Sequence, residues 1–339
     1  MNLKRRMVIM LFVLVMVVSM FSFTFGVDAK VEKIRVGYLH TVAVDAQFWL
    51  MLNKLKTFEK VGFEVEPIMF TSGIPLMQAL AGGSVDVAIM GAVISNFPAQ
   101  GVGKVFLINS IEFDTAKLFA RPETSAQGIA NVKGETVATV KGTTAHVFFY
   151  NACKSVGLNS EKDVELVNMD MASAVAAFIK GAVKYVVTWC PFDTYIKERV
   201  PDVILLSSAK DFYPDAAIIG GWVATEKTYK RSDIMQKIIE AWVPANDYLV
   251  KNPDDALEWI QENAYPDIPL TDIKDSYFAS LCHTSDEWVK LYQDGTVQKW
   301  IGQVEQVYVD IGAFKEFKEP TEFWDPSLYI YTLKHTLEY

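Results

Sequence analysis

Side chains that carry chemistry are scarce in this 339-residue chain. It has four histidines, His40, His146, His283 and His335, and none stands in H-E-x-x-H or another metal-ligand spacing. No metal and no cofactor is therefore expected. The three cysteines, Cys153, Cys190 and Cys282, lie far apart without a C-x-x-C pair. That excludes a disulfide framework and a redox motif, and buried free thiols are expected. There is no G-x-x-x-x-G-K-[ST] phosphate loop and no G-x-S-x-G nucleophile turn, and Gly101-Val102-Gly103 stops short of G-x-G-x-x-G. Ser207-Ser208-Ala209-Lys210 fits S-x-x-K but lacks the companion motifs of that chemistry. Asp254-Asp255 falls in a helix first turn, where capping accounts for it. Positive charge is also short, with 32 Lys and Arg against 41 Asp and Glu and a net charge of −9. Such a balance argues against nucleic acid and anionic lipid as partners. A catalytic constellation is missing, so the expectation is a binding protein rather than an enzyme.

What the chain does have begins with Lys4-Arg5-Arg6, an uncharged run from Met7 to Val27, and small residues around Val27-Asp28-Ala29. This pattern reads as a secretory signal over 1–29, with an uncleaved N-terminal anchor as the competing reading of so long an apolar run. Either reading places the body of the protein outside the cytoplasm, in the periplasm or on the extracellular face of the membrane. Residues 1–29 hold three basic residues and Asp28, so the remainder carries a net charge of −11. An anion site on so acidic a molecule has to be built locally, from oriented dipoles. At 51% hydrophobic, the chain can fill two cores of its own.

Short apolar runs alternate with helical-period segments through the first two-thirds. Strands are predicted at 33–39, 63–70, 85–90, 104–111, 135–140, 163–168, 184–189 and 202–207. Helices are predicted near 44–60, 74–82, 92–100, 143–156, 172–181 and 191–199. This alternation predicts an α/β protein with mixed, mostly parallel sheets covered on both faces. Residues 115–121 and 217–225 break the alternation and read as two crossover strands between lobes. The predicted division is 30–118 for the first part of lobe one, 119–219 for lobe two, and 220–339 for the return to lobe one. After Arg231 everything reads as helix. Asn252-Pro253-Asp254-Asp255 and Ser285-Asp286-Glu287 are start signals, and this helical C-terminal extension is expected to pack on the first lobe.

Ligands of open α/β sheets bind beyond the carboxyl ends of the strands. Small hydroxyl-bearing loops recur at those places: Thr71-Ser72-Gly73, then Gly91-Ala92 with Ser95, then Gly142-Thr143-Thr144 with His146. A helix that begins at such a loop presents unpartnered N–H groups and the positive end of its dipole. Several converging starts hold an oxyanion without a formal positive charge. His146 is expected to add an imidazole N–H. Each loop also reads, taken singly, as an ordinary helix cap, and Trp189 and Trp222 read either as core aromatics or as cleft walls.

The stretch "IRVGYL" followed by "FWLMLNKLKTFEKVGFEVEPIMFTSGIPLMQALAGGSVDVAIMG", with "NMDMASAVAAFIKGAVKYVVTWCPF" further on, resembles the substrate-binding proteins of taurine/sulfonate/nitrate ABC importers, an NMT1-like group. The resemblance covers about 33–225. It implies a two-lobed type II periplasmic-binding-protein fold that closes on a small anionic solute, of sulfonate type such as an alkanesulfonate, isethionate or taurine. It also implies delivery to a membrane permease driven by a cytoplasmic ATPase, and a monomer. It adds Tyr38, His40 and Thr41 to the ligand-binding loops, and Trp189, Phe192 and Trp222 as lining. Another organic acid, nitrate, or an aromatic or pyrimidine-type ligand are the alternatives. The related thiamine-pyrimidine synthesis enzymes carry a cysteine-rich run that is missing here. Two positions depart from the pattern. Lys184 stands where an acid is usual, and Gly220-Gly221-Trp222 lacks the acid that taurine receptors carry before the tryptophan. The expected ligand is therefore an anion without an amine, such as an alkane- or hydroxyalkane-sulfonate or a small organic acid, and a ligand amine would need Asp45, Glu112 or Asp215.

Overall fold

A computed structural model describes residues 31–335; the predicted signal segment lies outside the described residues. Among the described residues ten strands form two five-stranded sheets. The first contains β1 (Glu32–Tyr38), β2 (Phe63–Met69), β3 (Val87–Met90), β4 (Lys104–Ile111) and β10 (Ile219–Ala224), in the order β2-β1-β3-β10-β4. The second contains β5 (Ala116–Ala120), β6 (Thr136–Thr139), β7 (Glu165–Asn168), β8 (Tyr185–Trp189) and β9 (Ile204–Ser208), in the order β7-β6-β8-β5-β9. Within each sheet the βα units pair in parallel, with Val36 opposite Val87 and Val137 opposite Tyr185. The two crossover strands run antiparallel to their neighbours. Leu118 of β5 faces Val187 and Ser207, and Trp222 of β10 faces Ile89 and Leu107. The fold class is therefore the mixed, two-lobed α/β architecture expected. Two hydrophobic cores, one around each sheet, match it.

Helices follow the strands at the expected places: α1 (Val42–Trp49), α2 (Gly73–Ala81), α3 (Thr144–Ser155), α4 (Met171–Ile179) and α5 (Phe192–Arg199). Two predicted helices are broken. The 44–60 segment leaves α1 through a wider turn at Leu50–Lys54, then breaks at Lys56, whose φ of 51° is left-handed. The 92–100 segment is two short 3-10 turns, Ala92–Ser95 and Pro98–Gln100. Pro98 has no N–H to continue a helical ladder, and Gly101 ends the segment at φ 85°.

The C-terminal part is helical as predicted: α6 (Ser232–Lys251), α7 (Pro253–Ala264), α8 (Leu270–Phe278), α9 (Ser285–Gln293), α10 (Thr296–Asp310) and α11 (Ser327–His335). It docks along the free edge of β4, where Val105 N–H donates to Phe323 O and Ile111 exchanges hydrogen bonds with Leu281. It does not stay on the first lobe. Trp300 and Ile301 of α10 join the first core, while Val304, Val307 and Tyr308 join the second. A 15-residue helix is about 22 Å long, enough to bridge both bodies. Tyr308 reaches the second lobe's loop, donating its hydroxyl to Gly142 O at 3.1 Å. Among the described residues no helix is long and apolar enough to cross a membrane.

Candidate functional site

The chain crosses between the sheets twice, at 112–115 and at 209–218, and the crossings are tied together by Glu112 N–H donating to Ile218 O at 2.8 Å. Beside this tie lies a small hollow of about 50 Å³. It is lined by Leu39, Thr41, Val44, Thr71, Ser72, Gly73, Gly91, Val93, Glu112, Thr143, Thr144 and Trp189. Three α-helices begin at it. Thr41, Ser72 and Thr143 are the residues that precede α1, α2 and α3, and none of their side chains caps its own helix. Elsewhere Asp170, Thr225 and Thr284 accept from their helices in the ordinary way. At the hollow the hydroxyls are thus not spent on helix starts, although Thr143 Oγ1 donates back to Val140 O. The predicted loop at Gly91-Ala92 contributes differently, because Ala92–Ser95 is a single short turn with no helix dipole behind it.

A larger chamber of about 690 Å³ shares Leu39, Thr41, Thr71, Ser72 and Trp189 with the hollow. Its walls are mostly apolar: Met69, Phe70, Val140, Met171, Val175, Ile179, Pro191, Phe192 and Tyr195. Helix α4 turns Met171, Ala172, Val175, Ala176 and Ile179 to this space, while its Ala174 and Phe178 are fully buried in the second core. Polar groups sit at its margins, namely His40, Asp170 and Arg199. His40 is held at φ 52° and stacks on Tyr265 with ring centroids 4.2 Å apart. Burial lowers its pKa, which favours the neutral ring.

The electrostatics of the hollow depart from the sequence expectation. It contains a carboxylate and no Lys, Arg or His. Glu112 is 6% exposed, and burial pushes its pKa up to about 7 against hydrogen bonds from Thr144, Thr115 and the Ala92 N–H. Thr144 Oγ1 donates to Glu112 Oε1 at 3.1 Å and accepts from Ala92 N–H at 3.2 Å, and Thr115 Oγ1 donates to Oε2 at 3.3 Å. Gly91 makes room for this cluster. A Cβ there would lie 2.2 Å from Glu112 Oε1 and 2.7 Å from Thr144 Oγ1.

Of the residues expected to bind ligand, Thr41, Thr71, Ser72, Gly73, Gly91, Thr143, Thr144 and Trp189 line the hollow, and His40 and Phe192 line the chamber. Ala92 takes part through its backbone N–H alone. Tyr38, Ser95, Gly142, His146 and Trp222 line neither space. His146 is 2% exposed and turned inward. Its Nδ1 accepts from Gly142 N–H at 3.0 Å, which leaves the proton on Nε2, 2.8 Å from Glu161 Oε1. That bond, with a further one from Lys141, pulls the Glu161 carboxyl down to about 2. Trp222 lies mid-strand in β10, flanked by β3 and β4 and set edge-on to Phe106, so it belongs to the core. Tyr38 packs in the core against Phe48 and Trp49. Asp45 is also fully buried, bonded to Tyr265, and Asp215 is exposed away from both spaces. The three cysteines are free thiols, as expected.

Sequence comparison matches residues 28–261 to the model of the NMT1-like family. The chain belongs to the NMT1-like family. A candidate binding protein of Brucella abortus (strain 2308) is 26% identical to this NMT1-like chain over 297 residues, covering 86% of this chain and 89% of that one. A candidate aliphatic sulfonates-binding protein of Escherichia coli is 26% identical over 179 residues, 51% of this chain and 54% of that one. Among solved structures, the alkanesulfonate-binding protein SsuA from Xanthomonas axonopodis pv. citri, bound to MOPS, has a similar fold. Its TM-score is 0.69 at 16% identity, with 88% of this chain and 99% of that one covered. The fold of this NMT1-like protein is thus that of the periplasmic binding proteins.

Proposed function

We propose that this protein is the extracytoplasmic solute-binding component of an ABC importer, handing a small organic solute to a permease that a cytoplasmic ATPase drives. One observation carries the reading: three helix starts whose cap side chains do not bond their own helices and a large apolar chamber meet between two lobes that are joined by paired crossings. The hollow suits a polar head and the chamber an apolar body. A sulfonate-type group fits the α2 start, where Ser72 and Gly73 line the hollow and the Ser72 side chain caps no N–H of its own helix, with the Thr41 hydroxyl on the same lining. At the α1 start the buried Asp45 carboxylate already takes the Thr41 N–H. Likeness to a candidate sulfonates-binding protein supports that head group. No step of covalent chemistry is assigned to the cleft.

Native mass spectrometry of the purified protein tests the proposal, combined with a thermal-shift screen of small organic acids, sulfonates and amines. A releasable guest of small mass, or a saturable upward shift with a member of the screen, is the expected result. A protein that carries no guest and that no compound stabilises would defeat it.

A further inference from the structure

The positive end of α3, which the sequence reserves for a ligand anion, is already occupied by the chain's own carboxylate. Glu112 accepts the hydroxyl of Thr144, the first residue of α3, and shares with it the Ala92 N–H. It does so from the crossing between lobes, walled in by Gly91 and 6% exposed, yet still lining the hollow. A carboxylate holds about four acceptor sites, and two hydroxyls and one N–H leave capacity for another donor. Nothing of positive charge lines the hollow to answer it. A second anion at this end would compete with the buried carboxylate for the same donors, whereas a cationic nitrogen would hold Glu112 ionised and complete the cluster.

We propose that the solute carries a protonated amine or amidine nitrogen that docks on Glu112, with its apolar body along Trp189 and Phe192 in the chamber. The inference rests on the receptor reading above and narrows its substrate class. An anionic group on the same solute is then left to the α2 start, at Ser72 and Gly73 on another wall of the hollow. A zwitterion with an apolar body satisfies both walls at once.

Matched probes decide this: ethanesulfonate with taurine, propanesulfonate with 3-aminopropanesulfonate, and cyclohexylamine with N-cyclohexyl-2-aminoethanesulfonate. All are titrated calorimetrically against wild type, Glu112→Gln and Glu112→Asp. On wild type taurine and 3-aminopropanesulfonate are each expected to bind at least tenfold tighter than their amine-free partners. Glu112→Gln should erase that preference, and Glu112→Asp should keep its sign while reducing its size. Equal or tighter binding of the amine-free sulfonates overturns the inference and leaves the receptor reading standing. Loss of affinity in Glu112→Gln for both members of either of the first two pairs alike also overturns it, since the carboxylate would then be only a hinge latch. If no amine binds, the inference fails on wild type alone, whether or not the variants fold. If sulfonates fail too and no guest co-purifies, the receptor reading falls with it. Binding of cyclohexylamine without any sulfonate requirement supports the nitrogen site and removes the sulfonate head.

Discussion

Asp45 and Glu112 are both buried carboxyl groups, and burial pushes each up to about 7. Their surroundings could hardly differ more. Asp45 is 0% exposed and saturated: Tyr265 donates its hydroxyl to both oxygens at 2.7 and 2.8 Å, Trp49 Nε1 approaches to 3.3 Å, and the N–H groups of Thr41 and of Asp45 itself also serve the carboxylate. It lines neither the hollow nor the chamber, and its partner Tyr265 stacks on His40. Glu112 has two longer hydroxyl contacts and one face open to the hollow. A perturbed carboxyl is therefore not by itself a sign of function. What separates a structural acid from a recognising one is unsatisfied capacity beside open space.

The largest effect that tests this comparison is on stability against pH. Each group has a folded pKa above its unfolded value, so the folded state binds more protons between pH 4 and 7. Stability is full below about pH 4 and is lost as pH rises through about 7. A shift of this size corresponds to about 3–4 kcal/mol at each site. We predict that urea midpoints fall from pH 5 to pH 8 in wild type, and that Asp45→Asn and Glu112→Gln each flatten part of the slope. A saturating amine ligand should abolish the Glu112 share, because it stabilises the charged form, and leave the Asp45 share untouched. A ligand that moves both shares, or neither, would erase the distinction between them.

Next in size is Gly91→Ala. The added Cβ would meet Glu112 Oε1 at 2.2 Å and Thr144 Oγ1 at 2.7 Å, inside any allowed contact. Relief requires both side chains to leave their seats, at a cost of about 1–3 kcal/mol for overpacking. Ligand affinity should fall at least tenfold while the pH dependence assigned to Asp45 stays. An unchanged melting temperature with intact binding would show that the cluster is looser than the geometry says.

Trp189→Ala follows, and it reads the chamber rather than the hollow. Trp189 stands at the end of β8 between the two spaces and edge-on to Phe192, 6.3 Å between centroids. Removing it takes apolar area from a bound solute worth about 1.5–3 kcal/mol. Affinity for N-cyclohexyl-2-aminoethanesulfonate should drop far more than affinity for taurine, by calorimetry. Equal losses would place the apolar body elsewhere.

These contrasts also show what was legible in the sequence. The strand–helix alternation, both crossover strands and the start of α3 were readable because each rests on local periodicity or cap chemistry. The 92–100 helix failed because one proline outweighed an apolar pattern. The inner face of α4 was hidden for another reason: "MASAVAAFI" is apolar all round, so residues that wall a chamber cannot be told from those that fill a core. Trp222 misled for a similar cause, since whether a strand is central or at the edge depends on pairing with distant β3 and β4. Glu112 could be named as an available acid, but its place against Thr144, 32 positions away, is a tertiary fact.

The smallest predicted effect separates two residues that stand two apart on α3 and that were expected to share one task. Thr144 faces Glu112 and the hollow, whereas His146 braces its own loop from within. Thr144→Ala leaves one Glu112 oxygen without its hydroxyl donor and the Ala92 N–H with Glu112 alone, a loss of about 1–2 kcal/mol in stability. It should also weaken the preference for aminosulfonates, and Thr144→Ser should restore both. His146→Ala frees the Gly142 N–H and the Glu161 carboxylate at a half-exposed rim, costing about 1 kcal/mol. Affinity for any probe should stay within twofold, because the lost bonds all close inside the second lobe. Calorimetry on His146→Ala beside its melting curve checks this. An affinity loss exceeding the change in stability would return the histidine to the ligand.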